Sequence, residues 1–319
     1  MGEEQNVTSS PKVARRPVEI FDTEAKSISW SRLFWRELRA DKVAMVALVT
    51  IVIIMLLSVI ISAILTTEAV VEVTSAQLMT RRMPPFWQEG GRAGAWLGTD
   101  AGGRDVLQYL IIASRNSLFL GFSVAFISII IGVVIGIISG FYGGHVDNIM
   151  MRITDTWAMI PSLMFMVALV AIMDFTMPRF IMLLVMFSWM GRARLIRSVT
   201  LQQRNLDYVH ASKTLGTSNI VIIFREIMPN LVSIISANVV LTMAGSIGIE
   251  VGLALLGYGL PAGTPSLGAF VAAATTLSNL QNRWWMWAPG IVLMFIMILC
   301  INFVGQAISR IADPKQRRV

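Results

Sequence analysis

Residues able to do covalent, acid–base or metal chemistry are few in this sequence, and they stand apart. His145 and His210 lie in separate polar stretches, and the single cysteine, Cys300, sits inside an apolar run. A zinc-type site needs three or four His, Cys or carboxylate ligands at converging spacing, and no such cluster occurs. Neither histidine has a serine and an aspartate in a nucleophile-like pattern, so both read as solvated loop residues. No Gly-x-x-x-x-Gly-Lys-Ser/Thr segment exists to cradle nucleotide phosphates. Glu250 is the one carboxylate within a long apolar segment. An ionisable group at mid-bilayer costs ~3 kcal/mol or more, so such a residue faces protein or water. It falls near the outer edge of its span. A capping or inter-subunit hydrogen bond is the favoured reading, and a proton relay lacks a second buried titratable partner. The 20 methionines lie mostly in apolar runs, where a flexible thioether fills gaps; a metal-binding methionine path is the weaker alternative. The chain reads as a non-enzyme.

The most informative polar stretch is Gly191–Asn230, set between two apolar runs. Asn205 or Asp207 can cap a short helix there. Tyr208, Ala211, Ser212 and Leu215 then fall at i, i+3, i+4 and i+7, a narrow and small-sided face. Gly216 can take the left-handed conformation that ends the helix. Thr217, Ser218 or Asn219 can start a second helix, Ile220–Met228, which Pro229-Asn230 leads into the next apolar run. A short helix, a glycine and a second helix held against a membrane form a shape suited to docking. The plain alternative is an ordinary connecting loop.

The elements that position this stretch are membrane spans. The chain has 319 residues, 55% hydrophobic and 14% charged, against roughly 25% charged in a soluble domain. Its net charge of +7 does not indicate nucleic acid, because the basic residues cluster in segments flanking apolar runs, as membrane orientation requires. Residues 1–42 form a polar tail ending in a basic amphipathic helix, Trp30–Lys42, able to lie on anionic lipid or to fix the next span. Spans are expected at Val43–Leu65, Ser117–Ser139, Trp157–Met173, Phe180–Met190, Val232–Leu256 and Ala288–Ile308, the fourth being short for a ~30 Å core. Residues 66–116 form an extracytoplasmic loop of balanced charge. Residues 117–308 form the core, with loop 191–230 inside it, and 309–319 form a basic tail. Excess Lys and Arg in the N-terminal segment, in 191–225 and in the tail places both termini and the 191–230 loop in the cytoplasm. The fold class is an all-α membrane protein of about six helices, without an internal repeat.

Gly132, Gly136 and Gly140 recur at four-residue spacing in the second span, and Ala244, Gly248 and Gly252 in the fifth. In lipid, close backbone approach at small residues is a main source of helix attraction. These stripes are read as packing faces, either within the chain or on a partner.

Taken in order, these residues resemble the C-type membrane subunit of ABC peptide importers, the oligopeptide and dipeptide permeases. The resemblance runs from about Trp96 to Arg317. It rests on Leu97-Gly-Thr-Asp100 with Gly103-Arg-Asp105, Tyr142-Gly-Gly144 with Asp147 and Arg152, and Trp189 with Arg192, Arg194 and Arg197. Tyr208–Gly216 and Arg225–Asn230 resemble the family's EAA loop, and Glu250, Pro265-Ser266 with Gly268, Trp284-Trp285 and Asp313-Pro314 complete the series. The usual Glu-Ala-Ala is His210-Ala211-Ser212 here, the usual His before the Pro-Asn turn is Glu226, the aromatic before Gly268 is Leu267, and an acid expected after Gly305 is Gln306. The resemblance implies a type I ABC importer permease in the cytoplasmic membrane of a bacterium. It implies pairing with a second permease and coupling to two ATPase subunits through Tyr208, Ala211, Ser212, Leu215, Gly216, Arg225, Pro229 and Asn230. ATP and Mg would be held by those ATPases, with no cofactor in this chain, and an extracytoplasmic solute-binding protein would deliver oligopeptide. Membrane lipids are the other partner, and nucleic acid is not one. Alternatives are the same architecture carrying nickel or another small solute, or an ion-coupled secondary transporter.

Overall fold

The computed structural model describes residues 38–64, 73–261 and 263–312. The tail 1–37 with most of its expected amphipathic helix, Leu65 at the end of the first expected span, and residues 313–319 lie outside the described residues. The described chain is almost wholly helical. Helix α1 spans Lys42–Ile64, α2 Ser75–Leu78, α3 Val106–Tyr142, α4 Gly144–Ala158, α5 Ser162–Ile172 and α6 Met177–Arg204. Then follow α7 Asp207–Thr214, α8 Asn219–Ile222, a π-helical turn Ile223–Ile227, and α9 Met228–Leu255. The chain closes with α10 Leu267–Ala273, α11 Leu277–Asn282 and α12 Ala288–Ala312.

Among the described residues four helical runs are long and apolar enough to cross a membrane: Lys42–Ile61, Val106–Tyr142, Asn219–Leu255 and Ala288–Ile311. Helices α4 and α5, bent by 66° at their break, would together make a fifth. The bend falls at Pro161, which cannot donate a helical N–H and stands as the cap of α5. The expected fourth span, Phe180–Met190, is the apolar first half of α6. That helix continues unbroken through Arg192, Arg194 and Arg197 to Arg204, so the apolar run and the start of the polar interruption share one rod.

One further boundary differs from expectation. The second span begins at Val106 rather than Ser117, because Asp105 caps it, accepting from Leu107 N at 2.8 Å and Gln108 N at 3.1 Å. Residues 106–116 therefore belong to α3 and not to the preceding loop. The described part of that loop, residues 73–105, is itself folded. Thr99 bridges Asp105, and the Thr99 hydroxyl accepts from Met83 N at 2.8 Å while donating to Thr80 O at 2.5 Å.

Helix α3 is the axis of the molecule, about 55 Å long at 1.5 Å per residue. One buried apolar cluster joins its first turns to α9, α10 and α12 through Leu110, Ile247, Phe270 and Met297. A second joins its middle to α5 and α6 through Leu120, Met166, Phe180 and Leu184. A third joins its last turns to α6, α7, α8 and the π-turn through Ile137, Ile196, Val209, Ile222 and Ile227. That last cluster is where the polar interruption is seated.

Candidate functional site: an exposed short helix and its supports

Helix α7 begins with Leu206 as its extended cap residue, and no side chain caps it. Neither Asn205 nor Asp207 takes the expected role: Asn205 closes α6, and Asp207 is already the first residue of α7. The amide of Val209 is satisfied instead by the Leu206 carbonyl at 3.0 Å. At the other end Gly216 adopts φ +80°. Its N–H donates to Lys213 O at 3.0 Å and that of Thr217 to Ser212 O at 3.1 Å. This pair of bonds is the Schellman termination, which needs a left-handed residue where only glycine is unstrained.

The four residues expected on one face divide by task. Leu215 is 84% exposed, and Ala211 is exposed beside it. Tyr208 and Ser212 are tethers. The Tyr208 hydroxyl donates to Gln203 Oε1 at 2.8 Å and accepts from Asn230 Nδ2 at 3.1 Å; partial burial pushes the phenol's pKa up, keeping it a donor. Ser212 Oγ donates to Glu226 Oε1 at 2.5 Å. The opposite side of α7 carries Val209, fully buried at 0% exposure in the third apolar cluster. Sequence reasoning missed Val209 and Glu226. Val209 was visible as an apolar residue opposite the exposed face, whereas Glu226 finds Ser212 only through the tertiary turn.

Pro229 sits in the first turn of α9 and has no N–H for the Arg225 carbonyl, four residues back, a local reason for the π-turn at Ile223–Ile227. Asn230 Nδ2 donates to Glu226 O at 2.8 Å. Arg225 and Pro229 are exposed, as are Ile220 of α8 and Phe224 of the π-turn, so this segment exposes apolar side chains besides Leu215. The expected second helix Ile220–Met228 thus runs through the π-turn into α9 without a break.

Beneath this platform lies a set of ion pairs. Asp147 of α4 receives Arg197 Nε at 2.5 Å and Nη2 at 2.6 Å, and also Ser139 Oγ. Arg194 pairs with Asp155 at 2.9 Å. Arg204 Nη1 donates to Phe141 O at 2.9 Å, and Lys213 Nζ stands 4.9 Å from the centre of the Phe141 ring. The end of α3, the base of α6 and α7 are therefore fastened together.

The two glycine stripes are placed differently. A Cβ on Gly132, Gly136 or Gly140 would lie 2.7 Å from Arg192 Cβ, 2.7 Å from Ala193 O and 2.8 Å from Arg197 O respectively, so this stripe faces α6 of the same chain. Of the expected α9 stripe, Ala244 packs against the first apolar cluster of its own chain, whereas an added Cβ on Gly248 or Gly252, or on the neighbouring Gly245, would meet nothing within 4 Å. Glu250 is fully buried at 0% exposure. Its Oε1 accepts from Ser266 Oγ at 2.6 Å, and Ser266 Oγ in turn accepts from Ala269 N at 3.0 Å as the cap of α10. A Cβ on Gly268 would come within 2.6 Å of Glu250 Oε1, so the carboxylate lies against the α10 backbone of its own chain.

Residues 132–318 match the family described as binding-protein-dependent transport system inner membrane component. Residues 29–85 match the N-terminal transmembrane domain of oligopeptide transport permease C. The oligopeptide transport system permease protein OppC of Lactococcus lactis subsp. cremoris (strain SK11) is 41% identical over 295 residues, 91% of this chain and 96% of its own. The dipeptide transport system permease protein DppC of Haemophilus influenzae is 30% identical, covering 89% of this chain and 95% of its own. Among solved structures, an inward-facing form of the MetNI methionine ABC transporter superposes with a TM-score of 0.55 at 17% identity, covering 65% of this chain and 97% of that one. At that identity the likeness speaks for the fold.

Proposed function

The chain belongs to the family of binding-protein-dependent transport system inner membrane components, and from that premise we propose that it is a membrane-spanning subunit of an ATP-driven importer of oligopeptides. The observation that carries this reading is α7 itself. It is a short helix with an exposed Leu215 and Ala211, stopped by a left-handed Gly216 and fastened to α3, α6 and the start of α9. A groove in a separate ATPase subunit would receive it, and closure of the ATPase pair would move these three helices as one body between inward- and outward-facing states. The ATPases would hold ATP and Mg, for which this chain has no P-loop. A second permease would complete the translocation path, and an extracytoplasmic solute-binding protein would deliver peptide. The excess of Lys and Arg in 194–225 supports a cytoplasmic platform in the cytoplasmic membrane, with both termini on the same side.

The test is purification of the tagged chain in mild detergent, then reconstitution of whatever it retains into liposomes. Recovery of a second permease and P-loop ATPases, with peptide uptake that needs ATP, is expected. Recovery of the chain alone, with uptake driven by an ion gradient, would remove this reading.

A further inference from the structure

Three closely spaced arginines of α6, Arg192, Arg194 and Arg197, meet two different fates. Arg194 and Arg197 each have an aspartate partner, Asp155 and Asp147. Arg192 has none among the described residues. Its Nε donates to Thr242 Oγ1 at 2.9 Å and its Nη1 to Ser188 O at 2.9 Å, both neutral acceptors. A guanidinium has five N–H donors, so three are left over. The stem is fixed as well, since its Cβ is packed over Gly132 of α3.

Arg192 opens the stretch expected in the cytoplasm, yet it is held against the middle of a neighbouring apolar helix. Thr242 lies midway along α9, about 20 Å from either end at 1.5 Å per residue. A cation held there by neutral groups is not accommodated by lipid, so it faces water or protein. The surroundings are polar along one line. Asn238, Thr242, Ser246 and Glu250 recur every four residues of α9, and Thr242, Ser246 and Glu250 are buried. One turn beyond Thr242, Gly245 opens onto empty space, as do Gly248 and Gly252. A cation with spare donors thus stands where α6 meets a helix whose exposed side opens at Gly245, Gly248 and Gly252 between Leu241 and Leu255.

Resting on the importer reading, we propose that Arg192 is a substrate-contacting residue of the translocation path, binding the terminal carboxylate of the peptide in transit. The planar fork of arginine matches a carboxylate through two parallel N–H bonds. Every unmodified linear peptide carries that carboxylate whatever its side chains, so one fixed cation serves cargo of varied sequence. Thr242 and Ser188 act as positioning residues that hold the fork.

The test uses the complete importer in liposomes and an all-alanine oligopeptide supplied as the free acid and as its C-terminal amide, a pair first shown to bind the solute-binding protein equally. Wild type is expected to take up the free acid about tenfold faster, the worth of one charge-assisted contact. In Arg192→Met that ratio falls to about one, the free-acid rate coming down to that of the amide. Arg192→Lys, which keeps the charge without the fork, gives an intermediate ratio and carries the test alone if the Met variant is not recovered. A wild-type ratio of one, an unchanged ratio in both variants, or an equal fall for both peptides overturns the proposal; the last would make Arg192 a contact to protein. Absence of ATP-dependent uptake of either peptide by wild type would instead sink the importer reading, and this inference with it.

Discussion

Two neighbours on α7 have opposite environments, and their substitution separates docking from folding. Leu215→Asp places a charge where the side chain is already 84% exposed, so helix content and thermal stability should stay within ~0.5 kcal/mol of wild type. Recovery of the ATPases with the chain should nevertheless fall, and unchanged recovery would count against the docking role. Val209→Asp buries an unpaired carboxylate in the third apolar cluster and should cost several kcal/mol, read as lost protection of residues 207–214 in hydrogen exchange. The departures from the family's loop also pair up. Ser212 stands where alanine is usual and Glu226 where histidine is usual, and the two are bonded to each other at 2.5 Å. A double-mutant cycle of Ser212→Ala and Glu226→Ala should show a coupling of about 1–2 kcal/mol in stability. Additive effects would mean that the bond contributes nothing net.

Among the helices, glycine marks two kinds of face that spacing alone does not distinguish. Gly136→Leu would drive carbon into the Ala193 carbonyl and Ile196 of α6, both 2.7 Å from an added Cβ. It should destabilise the chain by at least 1–3 kcal/mol, seen as a lower unfolding temperature in detergent. Gly248→Ala meets nothing within 4 Å and should leave that temperature unchanged. If the open stripe packs on a second permease, the same change lowers recovery of that partner. The end of α7 offers a backbone test. Gly216→Pro cannot reach φ +80°, and it deletes the N–H donated to Lys213. Membrane insertion should survive while transport falls to background, and wild-type uptake at matched expression would refute the requirement for this termination.

Across the whole molecule, the beginning and end of the described chain are clasped. Asp41, just before α1, pairs with Arg310 near the end of α12, above a small cluster of Leu38, Ala44 and Ala307. The Ala44 N–H, then the Arg310 guanidinium, hold the Asp41 carboxyl below its ordinary value of 3.8. A depressed folded-state value means that the clasp contributes fully above the ordinary carboxylate range and is lost as the pH falls through the folded value. The hydrogen-exchange protection of residues 43–45, measured relative to the intrinsic rate at each pH, should therefore be high at neutral pH and fall on acidification. Asp41→Asn should show low protection throughout and lose that acid dependence.

Much of this was legible along the chain, because lipid imposes long apolar runs and basic flanks whatever the tertiary arrangement. The runs, the polar interruption, the short helix and its left-handed glycine all follow from residue type and period, since Gly216 is defined by a backbone conformation that local sequence specifies. Tertiary structure decided the rest. Whether a glycine stripe meets α6 or open space depends on which helix lies beside it, and spacing is the same in both cases. The buried setting of Glu250 depends on Ser266 and Gly268 folding back over it. Val209 and Leu215 differ only in which side of α7 the third apolar cluster takes up. Arg192 read as one of three similar arginines; only the placement of Asp147, Asp155 and Thr242 gave two of them carboxylate partners and left the third against neutral oxygens in mid-helix.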